Sequence, residues 1–141
     1  IIEYLSQLRR QKMNLVNLED NQILETQGIS QDGLHHLAGL MLLGEYPQEF
    51  FPQLSVTAMV VQGKAIGDLG EDGERFVDNK RFEGTLNQML DATIAFVRRN
   101  MKIKTIITEE GVRADKAEYP IKAVRDILLT ALIHRDYIVH T

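Results

Sequence analysis

The first dozen positions place Ile1, Leu5 and Leu8 on one helical face, and Arg9, Arg10 and Lys12 follow where cations suit the negative end of a helix dipole; the spacing predicts a helix from Ile1 to about Lys12. Asn17 is the predicted cap of a second short helix through Thr26, ended by Gly28. A third helix is predicted from Gly33 to Leu43. Its Leu34, Leu37, Ala38, Leu40, Met41, Leu42 and Leu43 make it apolar all round, which implies burial, and Gly44 and Pro47 stop it. Ser55 to Gln62 is β-branched and apolar on both parities, the pattern of an interior strand, with Arg75 to Asp78 as a pairing partner. Between them Gly63, Gly67, Gly70 and Gly73, with Asp68, Glu71, Asp72 and Glu74, form a solvated loop. Thr85 and Gln88 make a capping box, and Leu86, Met89, Leu90, Ile94, Val97 and Met101 then recur at helical spacing to Arg98-Arg99. Lys102 to Thr108 is a strand, Glu109-Glu110-Gly111 a turn, and Val112 starts a returning strand. Pro120 opens a final helix with its body at Ala123 to Tyr137. The order predicts an α+β fold: a mixed β-sheet packed with two long helices and preceded by a small helical segment.

With 141 residues, 44% of them apolar, the chain can bury one core of its own. A net charge of −4 argues against a large nucleic-acid footprint, because phosphate affinity rests on clustered Lys and Arg. Having no cysteine, the chain has no disulfide framework and no thiolate metal site, and this fits a reducing compartment; cytoplasm is the expected location. No apolar run reaches the roughly 18 residues of a membrane helix. Ile1-Ile2-Glu3-Tyr4 reads neither as a signal peptide nor as a natural start, so the chain reads as a piece of a longer protein.

Few residues carry candidate chemistry. His134-Arg135-Asp136 resembles the catalytic triplet of protein kinases, but the metal-holding Asn expected five positions after the Asp is Thr141, and no Gly-rich nucleotide loop accompanies it. The plainer reading closes a helix: His134 and Arg135 meet terminal carbonyls while Asp136 pairs with a base. His35-His36 diverge as neighbours on a helix and lack further ligands at metal spacing, so they read as packing or capping groups. The Gly28 to Gly33 connection is too long for a helix-turn-helix, and the helix after it has nothing to read bases. The basic clusters Arg9 to Lys12 and Arg98 to Lys104 both sit at helix ends, where a solvated role suffices; Arg9, Arg10, Lys12, Arg98 and Arg99 are the candidate nucleic-acid contacts.

Four stretches, in order, resemble a prokaryotic family of transcriptional regulators described as RecG-related, with a Schlafen AlbA-type N-terminal domain. Leu37 to Gly44 is similar to its LAGLLLFG segment, Tyr46 to Gln53 to PQRFFPQ, Phe82 to Leu86 to FEGTL, and AVRDILLTALIHRDY to REALVNALVHRDYS. The resemblance implies that residues 1–16 end a preceding domain, 17–120 form a central α+β core, and 121–141 open a truncated GHKL-ATPase-like domain. In GHKL-type ATPases a carboxylate and an amide four positions apart orient water and hold magnesium; here those places carry Asp126 and Thr130. Asp126, Thr130, His134, Arg135 and Asp136 are thus the implied nucleotide-binding candidates. No catalytic residue, metal ligand or cofactor is expected within this stretch itself, and ATP with magnesium is implied only for the longer parent. The implied role is a non-catalytic connecting core, with flanking domains of the same protein as partners, DNA reached through the parent, and no membrane. Two alternatives stand beside it: an ATP-binding protein whose pocket begins in the last helix, and an oligomerisation module using exposed Ile138 and Val139.

Overall fold

A computed structural model describes residues 1–61, 63–65, 67–73 and 75–138. Gln62, Glu74, Val139 and Thr141, each named in an expectation above, lie outside the described residues. The fold is α+β, built around two apolar clusters.

The first cluster is helical. Helix α1, Ile2–Gln11, buries Leu5 and Leu8; a 3₁₀ turn at Met13–Leu15 adds Leu15, and α2, Asp20–Thr26, adds Ile23 and Leu24. The 3₁₀ turn takes up the residues after α1, so α2 starts later than expected. Its N-cap is Glu19 and not Asn17, and the Gln22 side chain accepts from the Glu19 N–H at 3.0 Å. The chain leaves α2 through paired hydrogen bonds, Gly28 N–H to Glu25 carbonyl and Ile29 N–H to Leu24 carbonyl, both 2.9 Å. These satisfy carbonyls that a helix end orphans, and Ile29 packs back into the cluster beside Leu24.

The helix expected from Gly33 starts only at α3, Leu37–Leu43. Before it, β1, Ser30–Gln31, and β2, Leu34–His35, pair as a small antiparallel hairpin. Asp32 and Gly33 at its tip have φ of 52° and 78°, the left-handed pair that closes a two-residue hairpin. Nor is α3 buried all round: Gly39 and Met41 are buried, whereas Leu42 is exposed.

The second cluster joins Met41, Leu54 and Leu132 to Met89, Leu90 and Ile94 of α4, Leu86–Asn100. The capping box holds as read, with Gln88 N–H on Thr85 Oγ1 at 3.3 Å and Thr85 N–H on Gln88 Oε1 at 2.8 Å. Helix α4 lies against β3, Val56–Val61, and β4, Phe76–Phe82, which pair antiparallel from Val56 opposite Phe82, with a register shift at Val60/Val61. Phe82 meets Phe96 edge-on at 5.9 Å between centroids. β3 is therefore not the doubly covered strand expected; its burial alternates, as one packed face dictates.

The remaining strands, β5, Ile103–Ile107, and β6, Arg113–Ala117, flank the expected turn, and α5, Ile121–Ile133, follows Pro120. The strands do not merge into a mixed sheet. Among the described residues they form three separate antiparallel pairs, β1 with β2, β3 with β4 and β5 with β6. Antiparallel pairs need only a turn, whereas parallel pairing needs a crossover, and each pair here is closed by its own loop.

Candidate functional site

The segment between α3 and β3 holds the later elements together. After the 3₁₀ turn Pro47–Glu49 the backbone enters neither helix nor ladder before Val56, so its carbonyls need partners from elsewhere. Side chains supply them at four consecutive residues. Arg81 donates to the Pro52 carbonyl, Arg135 to the Gln53 carbonyl at 2.6 Å, Gln48 to the Leu54 carbonyl at 2.7 Å, and Arg135 again to the Ser55 carbonyl at 3.1 Å. Gln48 is buried, and its amide also brackets Gly84, donating to the carbonyl at 2.9 Å and accepting from the N–H at 2.7 Å. Gly84 sits at φ 112°, and a Cβ there would come within 2.4 Å of Gln88 Oε1, so the entry to α4 requires glycine. At the rim, Tyr46 donates to Glu83, which raises the phenol's pKa and keeps it a donor, and Arg81 pairs with Glu83 at 2.9 Å.

α5 packs inward through Leu132, with Ile121 and Leu128 at the edge of the cluster. It ends at Ile133, four residues before the expected Tyr137, and His134 is its C-cap, donating its N–H to the Thr130 carbonyl at 3.0 Å. The polar triplet therefore lies past the helix and not in its last turn. Arg135 reaches back to Gln53 and Ser55 and does not cap its own helix; Asp136 Oδ1 accepts from the Ile138 N–H at 3.0 Å and, among the described residues, pairs with no base. Tyr137, which pattern reading passed over, gives its hydroxyl to the Leu132 carbonyl. No family model, curated protein or solved structure matches this chain.

The five nucleotide-binding candidates do not share a target. Thr130 Oγ1 donates to the backbone carbonyl of Asp126 at 2.7 Å, a bond within the helix, and both residues are exposed. His134 is exposed, while Arg135 and Asp136 are engaged as described. These side chains as arranged do not supply the several convergent oxygens that magnesium requires, so ATP with magnesium does not fit them alone.

The nucleic-acid candidates divide likewise. Arg9 donates to the Leu18 carbonyl and pairs with Asp20 at 2.6 Å, Arg10 bonds the Ser6 carbonyl, and Lys12 bonds Gln27. Arg99 pairs with Asp78 and lies 5.3 Å over the Phe96 ring; Arg98 is exposed. The bond from Arg99, with a second from Asn100, holds the Asp78 carboxyl below its ordinary pKa of 3.8. A depressed carboxylate contributes stability that is complete above the ordinary value and lost as pH falls through the folded value. Acid-side thermal unfolding of Asp78→Asn is expected to show a shallower loss of Tm below about pH 4 than the parent chain; equal slopes would remove Asp78 from the acid response.

His36 precedes α3, with Nδ1 3.0 Å from the Gly28 carbonyl, a contact its protonated nitrogen makes as donor. Among the described residues no group of three His, Cys, Asp or Glu gathers to hold a metal. Beside the triplet, Leu37, Met41, Leu42, Leu86, Ile133 and Tyr137 line an apolar groove of ≈ 550 Å³. Burial raises the pKa of Tyr137 and keeps its phenol neutral. The groove offers contact area, not a reacting group.

Proposed function

We propose that this chain is the connecting core of a DNA-binding transcriptional regulator, a non-catalytic scaffold that positions flanking domains of the same protein. The observation that carries the reading is the two-sided character of α5. Its inner face is built into the core and its end is tied to the Gln53 and Ser55 carbonyls by Arg135. Away from that face Ile127 is 69% and Ile133 56% exposed, and Ile133 lines the apolar groove. A helix apolar on both sides is normally covered on both, and a flanking domain of the same protein would provide that cover. The side chains expected to bind nucleotide serve the fold or face water, which favours this role over the ATP-binding alternative.

A titration of this chain with duplex DNA at physiological salt, beside calorimetry with ATP and magnesium, tests the proposal. The expected result is binding no tighter than about micromolar for DNA, the range of non-specific contact, and no ATP heat that depends on Asp126 or Thr130. Sequence-specific nanomolar DNA binding, or a saturable ATP signal lost in Asp126→Ala/Thr130→Ala, would overturn it. Light scattering adds a third arm: a stable oligomer would favour the oligomerisation module.

A further inference from the structure

Lys104 and Lys116 stand directly opposite each other across the β5–β6 hairpin. Strand alternation puts Lys102, two residues before Lys104, on the same face. With Ile106, Ala117 and Glu118 the three lysines line one depression of ≈ 550 Å³. Like charges facing each other across a strand pair are unfavourable, yet among the described residues none of these ammonium groups is in an ion pair. The one carboxylate at the depression, Glu118, accepts from the Lys102 backbone N–H at 3.1 Å. Protection of an open strand edge is the common reason for lysines in such a place. It would not gather them on one face of the hairpin base while Ile103 and Ile107 stay 60% and 78% exposed.

We propose that this face binds phosphate groups through Lys102, Lys104 and Lys116. Anionic oxygens placed between three ammonium groups around a concavity relieve their mutual repulsion, and each ammonium can donate to a different phosphate oxygen. The phosphates come either from a nucleic-acid backbone or from a small phosphate compound. The site stands on the hairpin alone and holds whether or not the scaffold reading does.

The test titrates a labelled duplex against the 141-residue chain from low to moderate salt, with inorganic pyrophosphate as competitor. Three phosphate contacts give a slope of log affinity on log salt near −2.7, and Lys104→Gln/Lys116→Gln flattens it to about −0.9. Lys80→Gln/Lys122→Gln, in β4 and α5, leaves the slope unchanged. Displacement of the duplex by millimolar pyrophosphate assigns a compact phosphate site, and failure of pyrophosphate to displace a hairpin-dependent complex assigns the backbone; either supports the site. No binding of duplex or pyrophosphate at low salt, or a slope that the hairpin variant does not change, overturns it. Unchanged thermal unfolding of the hairpin variant separates lost contacts from lost fold.

Discussion

Gln48→Ala is expected to destabilise the fold by about 3 kcal/mol, since each buried backbone group left without a partner costs roughly 1–3 kcal/mol. Three groups lose their partner at once: the Leu54 carbonyl, the Gly84 carbonyl and the Gly84 N–H. Water entering the vacated space restores part of the loss, which keeps the figure below the full sum. Gln48→Met separates the causes. It fills most of the volume without an amide, so a deficit close to that of alanine assigns the effect to hydrogen bonding, while recovery toward wild type assigns it to packing. Gln48→Glu fares no better, because a carboxylate accepts from the Gly84 N–H but faces two carbonyl oxygens with no proton to give. For a domain of this size the alanine variant lowers Tm by about 10 °C. A shift of a degree or two would mean that solvent replaces the amide and that the junction is not held there.

That junction explains what the sequence made legible and what it hid. Local rules reached the capping box at Thr85 and Gln88, the amphipathic face of α1 and the turn between β5 and β6, because each is written within a few residues. Asp32-Gly33 was also legible as a hairpin turn, but its arms, Ser30-Gln31 and Leu34-His35, are too short to show alternation, and the leucines beyond drew the residues into a longer helix. The β-branched runs announce strands without naming partners, so the β3–β4 and β5–β6 pairs read as one sheet. Gln48 gave no signal at all. A glutamine in a polar turn becomes structural only when Gly84, 36 residues later, is brought against it. The triplet after α5 hid its packing for the same reason: the partners of Arg135 lie 80 and 82 residues upstream.

Arg135 carries the second large effect. Arg135→Met keeps the aliphatic stem and removes both donors, and charged hydrogen bonds contribute about 1.5–3 kcal/mol each. The two carbonyls are partly buried, so water replaces some of the interaction and the net loss is expected near about 2 kcal/mol. Its location matters more than its size. The amides of Leu129 to Ile133 are expected to exchange hydrogen faster, because the chain after α5 loses its tie to Gln53 and Ser55, while the amides of α1 and α2, built on the other cluster, keep their protection. Arg135→Lys restores only part of the loss, since an ammonium is a single point of donation and the planar guanidinium reaches two carbonyls at once. A guanidinium kept for a nucleotide would give the opposite pattern, with unchanged protection of α5 and altered binding. Protection that spreads its loss evenly over the whole chain would also count against a local tie, and would make the two clusters a single cooperative unit.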